Sequence, residues 1–144
     1  MLFQPDVVVL ALHVPNVSLL AEVKRSFPEL AGVESQLRQY MLDRRCSLAL
    51  LVSPRTTRMY RDTFKDYTAD SIELVGEYDT ADFLGLDSVP DDERALHEAV
   101  MSWLERLACA WPTGLPQNDI AKASVVQYLV PEVAQGRIMS GSFG

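Results

Sequence analysis

The stretch PDVVVLALHVPNVSLLAEVK, residues 5–24, decides how the rest of the chain is read. Val7 to Leu12 is a short, continuous, β-branched run of the kind that forms a buried strand. His13-Val14-Pro15-Asn16 supplies turn chemistry: Pro15 fixes φ and Asn16 tolerates unusual dihedrals. Val17 to Lys24 reads as a second strand, and the short connection predicts an antiparallel hairpin. Within the second strand, Glu22 and Lys24 share one face by the period of two. Asp6 stands at the beginning of the first strand, so the hairpin is expected to bring its carboxylate near that of Glu22. A carboxylate inside Leu19-Leu20-Ala21-Glu22-Val23 is costly to bury alone, which makes Lys24 or a metal ion its natural partner.

Downstream, Phe27-Pro28-Glu29 opens a helix running to about Arg45. Leu30, Val33, Leu37, Tyr40 and Met41 form its apolar face. Cys46 to Val52 is expected as a third, deeply buried strand, Thr57 to Phe64 as a fourth and Ile72 to Val75 as a shorter fifth. A helix between the second and third strands makes that connection a crossover, so the sheet should be mixed. After the acidic loop Asp87–Glu93, residues 92–110 form an amphipathic helix with Leu96, Val100, Trp103, Leu104 and Leu107 along one stripe. Ala121 to Leu129 is compatible with either helix or strand, and the tail from Ser140 to Gly144 is expected to fray. The fold class that emerges is α/β, with a mixed central sheet flanked by helices and a helical C-terminal part.

The chain has 144 residues, 48% of them hydrophobic and 23% charged, which is the balance of one ordinary globular domain. Neither a repeat nor a low-complexity linker divides it. No apolar run approaches the ~20 residues of a membrane-spanning helix, and the first residues lack the pattern of a secretory signal, so a cytoplasmic protein is expected. Cys46 and Cys109 lie far apart in apolar segments and read as buried free thiols of a reducing compartment. The net charge of −7 argues against simple nonspecific binding to nucleic acid. That charge is uneven, however: residues 1–65 carry nine basic and six acidic residues, whereas residues 66–144 carry four and fourteen. The asymmetry reads either as a basic surface in the half that holds the candidate chemistry or as an acidic C-terminal half that merely aids solubility.

Asp6, Glu22 and the backbone carbonyl of Val23 form an oxygen-rich set suited to Mg²⁺ or Mn²⁺, with Lys24 on the same face to position a water or balance phosphate charge. Pro5-Asp6, Glu22-Val23-Lys24 and Gln36-Leu37-Arg38-Gln39-Tyr40 follow one another in the order of the PD-(D/E)xK nuclease superfamily, and residues 5–61 resemble its RecB-like branch. They also look like the nuclease domains of type I restriction enzymes. The resemblance implies a restriction-endonuclease-like core in residues 1–65, metal ligation by Asp6 and Glu22, and a catalytic Lys24. It further implies that Gln36 and Tyr40 orient the site or the substrate backbone. Family members usually carry a helix with a further acidic residue before the first motif strand; only four residues precede Pro5, so the expectation is either that the sequence starts late or that residues 117–135 or a second subunit replace the helix.

The expected function is metal-dependent hydrolysis of DNA, by a homodimer or within a larger nuclease–helicase complex. The alternative is a catalytically inactive module that keeps the fold for nucleic-acid docking or protein assembly. Arg55, Arg58 and Arg61 read either as a phosphate-binding ridge or as an ordinary solvated strand face. His13 reads as a turn residue, His97 as a residue on the exposed side of its helix, and Trp103 and Trp111 as core or interface aromatics.

Overall fold

The computed structural model describes residues 5–11, 16–109 and 113–140. Strands β1 (Val7–Ala11) and β2 (Val17–Val23) pair antiparallel, with Val7 opposite Ala21 and Val8 opposite Leu20. The turn between them, including His13, lies outside the described residues. Helix α1 (Leu30–Arg44) crosses to β3 (Leu48–Val52), which runs parallel to β2 with Leu51 beside Glu22. β4 (Thr56–Asp62) and β5 (Ile72–Asp79) continue antiparallel, so the sheet is mixed.

β5 extends four residues beyond the Val75 end expected from the sequence. The cause is a register shift between Met59 and Tyr60, which pair with Gly76 and Leu74 and leave Val75 extra. A bulge of this kind breaks the alternation from which a strand is recognised, and Gly76 further masks it. A sixth strand, β6 (Gly136–Ser140), was not expected at all; it pairs antiparallel with β1, Ser140 lying opposite Val7. Ser140 is therefore held in the sheet rather than frayed, and residues 141–144 lie outside the described residues. Without β6, β1 would present an open edge of apolar residues. The strand order is β5-β4-β3-β2-β1-β6, with both outer strands drawn from the acidic C-terminal part, which is consequently less uniformly helical than expected.

Both faces of the sheet are covered. On one, Leu37 and Met41 of α1 pack on Val8, Leu20, Ala49, Leu51 and Tyr60. The short α2 (Thr80–Phe83) and the longer α3 (Glu93–Leu107) cover the other, with Trp103 wholly buried. The Trp103 indole Nε1 donates to the Gly114 carbonyl at 3.0 Å, so its polar atom is satisfied. The ambiguous segment 121–129 is helical. It runs from α4 (Asp119–Ser124) through a π-helical turn (Val125–Leu129) into α5 (Val130–Ala134). Asn118 begins it by accepting from the N–H groups of Ile120 and Ala121 at 3.0 and 3.1 Å. Ala121, Val125 and Leu129 then recur every four residues on the buried side, a helical rather than a strand period.

Two sequence expectations about single residues are corrected. Cys46 is buried as expected, but Cys109 is exposed because it lies past Leu107, the last buried residue of α3. His97 is half-buried rather than on the open side of α3, and its Nε2 is enclosed without a hydrogen-bond partner. Trp111 lies outside the described residues. No helix among the described residues is long and apolar enough to cross a membrane.

Candidate active site

One further step of the β1–β2 register sets Asp6 opposite Glu22. The Asp6 N–H donates to the Ala21 carbonyl at 3.0 Å, and its carboxylate Oδ2 accepts from the Val23 N–H at 2.7 Å. These two bonds fix the Asp6 side chain at the end of the hairpin. Glu22 follows the alternation of β2 onto the same face as Leu20 and is 6% exposed. The Lys24 N–H donates to the Val52 carbonyl at 3.0 Å, which anchors its backbone to β3. Its ammonium then returns to the carboxylates, 3.2 Å from Glu22 Oε1 and 3.8 Å from Asp6 Oδ2. The β1–β2 hairpin and the parallel β2–β3 pair together bring all three groups to one end of the sheet.

A third carboxylate comes from the opposite helical layer. Glu93, the first residue of α3, lies 3.8 Å from Lys24 Nζ. Asp92 starts that helix by accepting from the Ala95 N–H at 3.0 Å. The amphipathic stripe located α3 in the sequence, but no local signal told which end of the sheet its N-terminus would reach. It is α3, and not the segment 117–135 that the sequence offered as one alternative, from which this acidic neighbour comes.

Burial pushes the Glu22 carboxyl up to about 7, and the neighbouring Asp6 charge and a hydrogen bond to Asp6 push the same way. Lys24 lowers it, but by less. For Lys24, burial acts to lower the pKa; Glu22, Asp6 and Glu93 together outweigh it and hold the ammonium above its ordinary range. The site is thus a pair of carboxylates facing each other with one dependable cation between them, and Glu22 takes up a proton near neutrality. Its Oε2 is buried with no hydrogen-bond partner, an acceptor left open in an otherwise paired cluster.

Among the described residues, no group of three or more His, Cys, Asp or Glu side chains is arranged to hold a metal ion. The donors on offer are two carboxylates, those of Asp6 and Glu22, together with a main-chain carbonyl. A strand residue turns its N–H and C=O to the same edge, so the Val23 carbonyl faces the side on which Asp6 sits. One or two carboxylates completed by water is the usual protein contribution to a Mg²⁺ site. The unsatisfied Glu22 Oε2 fits such a role, so the residues present fit a hard divalent cation.

Gln36 and Tyr40 are placed differently from these three. Gln36 is exposed on α1. The Tyr40 ring is half-buried beneath the Arg44 guanidinium, 5.4 Å from its centroid, and burial raises its pKa, with Arg44 lowering it and Cys46 raising it. Arg44 and Cys46 lie toward the end of the sheet at which β3 begins, away from Glu22. The arginines of β4 are largely neutralised: Arg58 contacts Glu34 at 3.3 Å and also Glu77, and Arg61 lies 2.6 Å from Glu73. Tyr60 joins Arg58 and Glu34 in one hydrogen-bonded cluster that the sequence did not reveal. Arg55 alone of the three is exposed without an ion pair among the described residues.

No protein-family model, no characterised protein and no solved structure matches this chain.

Proposed function

We propose that this protein is a metal-dependent nuclease of the PD-(D/E)xK type that hydrolyses phosphodiester bonds of DNA, with the restriction-endonuclease-like core in residues 1–65. The observation that carries this reading is the convergence of Asp6, Glu22 and Lys24 at the end of the β2–β3 pair. Asp6, Glu22 and the Val23 carbonyl would hold Mg²⁺ or Mn²⁺. When bound, such an ion lowers the pKa of water and offsets negative charge on phosphate.

The chain's own residues divide the remaining work. Asp6 is held by the Val23 N–H and presents a fixed carboxylate. Glu22 must be ionised to act as a ligand, so the site gains competence as pH rises through about 7 in the metal-free protein. The Lys24 ammonium keeps its charge over that range and is placed to stabilise the extra charge of an attacked phosphate, an electrostatic contribution that matters most in a water-poor site. Glu93 approaches Lys24 from α3 and offers its ammonium a second, more exposed partner. In this reading Gln36 and Tyr40 serve the substrate or the helix that flanks it, rather than the metal.

The net charge of −7 favours a second reading, a non-catalytic module of the same fold used for docking or assembly. Calorimetry of Mn²⁺ binding to the wild type and Glu22→Ala, run beside a cleavage assay on supercoiled and single-stranded DNA, separates the two. Metal binding and cleavage that are both lost in Glu22→Ala support the nuclease. Absence of both from the wild type at millimolar metal overturns it and leaves the module.

A further inference from the structure

A pocket of about 300 Å³ opens beside the candidate active site, between the residues that follow β2 and the β3–β4 turn. Its position follows from the chain: Arg25 and Ser26 come directly after Lys24, and Leu51 on its wall lies beside Glu22 in the β2–β3 register. Three arginines line it, namely Arg25, Arg55 and Arg58. Glu34 and Glu77 neutralise Arg58. Arg25 and Arg55 are both exposed and form no ion pair among the described residues, so they leave the pocket cationic.

The backbone adds to that charge. Leu30, the first residue of α1, lines the pocket. Glu29 at the helix N-cap provides no side-chain cap, and the first turn holds no acidic residue. The positive end of a fifteen-residue helix is therefore left uncapped at the pocket wall, an arrangement that favours an anion. Arg55 is not on a loose loop. Ser53 Oγ donates to the Thr56 carbonyl at 3.1 Å and accepts from the Thr56 N–H at 3.2 Å, and the Arg55 carbonyl accepts from the Thr80 N–H at 3.1 Å. The lining is also partly apolar: half-buried Phe27 packs with Leu30 against the cluster that holds Leu51. Arginines without ion pairs among the described residues and an aromatic ring in one pocket match a phosphate joined to a stackable base.

We propose that this pocket binds one nucleotide of a single nucleic-acid strand, Arg25, Arg55 and the N-terminus of α1 taking the phosphate and Phe27 supporting the base. That the nucleotide belongs to a substrate strand rests on the nuclease reading above; the pocket itself needs no metal and none of the three site residues. It also gives an acidic protein a local cationic surface where a substrate would enter.

The test uses the full chain in EDTA, titrated with thymidine 5′-monophosphate and separately with inorganic phosphate, and followed by backbone amide NMR. Saturable shifts centred on residues 25–30 and 53–56 are expected. Arg25→Ala combined with Arg55→Ala is expected to weaken both ligands about tenfold or more, as loss of charged hydrogen bonds does. Phe27→Ala should remove the preference for the nucleotide over phosphate, whereas Glu22→Ala should leave nucleotide affinity in place. The two arginines are exposed, and an unchanged circular dichroism spectrum checks that their replacement leaves the fold intact. Absence of saturable shifts in the wild type, or equal affinity in the double arginine variant, overturns the proposal. Arginine-dependent nucleotide binding by a protein that fails every cleavage assay would sink the nuclease and keep the pocket. Cleavage with KM for DNA unchanged in the double arginine variant would do the reverse.

Discussion

Replacing Glu22 with glutamine keeps the shape of the side chain and removes its titration, which makes the variant a direct probe of the carboxylate pair. In the metal-free folded protein the Glu22 carboxyl ionises at about 7, against an ordinary value of 4.5. Between those two pH values the folded state holds a proton that the unfolded chain has released. The stabilisation from this proton is fully present below the unfolded value and is lost as pH rises through the folded one. At about 1.4 kcal/mol per pH unit, the whole rise corresponds to roughly 3 kcal/mol. Glu22 is only 6% exposed, so little of this is lost to solvent screening.

Wild type and Glu22→Gln should therefore diverge with pH. The stability of the variant relative to wild type is expected to grow by roughly 3 kcal/mol from below the unfolded value of 4.5 to above the folded value of about 7, or roughly 6–12 °C in Tm for a domain of this size. Loss of the Lys24 contact offsets the two curves without creating that slope. Glu132, which burial also raises, titrates in both proteins and cancels in the difference. Urea unfolding in EDTA, read from the fluorescence of buried Trp103, measures the effect at a series of pH values. Parallel curves for the two proteins would refute the argument, because they would mean that Glu22 ionises in the folded state as it does in the unfolded one.

Four other outcomes are expected. Lys24→Met should reduce cleavage by roughly a hundredfold or more, mainly in kcat. The same variant should raise the Glu22 pKa above its wild-type value, since Lys24 lowers it, and carboxyl carbon NMR reads that change directly. Saturating Mn²⁺ should raise Tm in mildly alkaline buffer and do little in mildly acidic buffer, where Glu22 keeps its proton; thermal scans at both pH values check this, with Glu22→Ala as the unresponsive control. Gly136→Ala should destabilise by roughly 1–3 kcal/mol, since a Cβ there would lie 2.9 Å from the Glu132 carbonyl and press on Val9. Denaturant melts that fail to separate this variant from wild type would contradict the docking of β6 beside β1.

The elements recognised from sequence are those whose pattern is local. β1 and β3 are unbroken apolar runs, β2 is a mostly apolar one, α3 is a clean amphipathic stripe, and the crossover by α1 is enough to require a parallel pair in a mixed sheet. β6 escapes such reading because Gly136-Arg137-Ile138-Met139-Ser140 has little strand character of its own. It is a strand because β1 offers an edge to it more than a hundred residues away. β5 was foreshortened for a related reason, its alternation being reset by the bulge opposite Met59 and Tyr60. The same division runs through the site. Asp6, Glu22 and Lys24 lie within one hairpin and its extension, so turn length and strand parity bring them together. Glu93 arrives from α3 through tertiary packing that neither rule describes.

That difference in origin has a chemical consequence. Asp6 and Glu22 are brought opposite each other by one further step of the register of a buried hairpin, so their mutual repulsion is built into the fold. It can be relieved by a proton on Glu22, by the Lys24 ammonium or by a divalent cation, and these compete for the same oxygen atoms. Lys24 is 46% exposed and Glu93 is 45% exposed, so the Lys24–Glu93 contact is the adjustable part of the cluster. Swinging the ammonium toward Glu93 and a substrate phosphate would leave Asp6 and Glu22 to a metal ion without moving either strand. On this account Glu93→Gln should weaken metal binding even though Glu93 is 3.8 Å from the lysine and is not itself assigned as a ligand. The reason is that removing the alternative partner leaves Lys24 committed to the carboxylate pair. Calorimetry with Mn²⁺ at mildly alkaline pH measures this. Unchanged affinity in Glu93→Gln would show that the lysine does not compete with the ion.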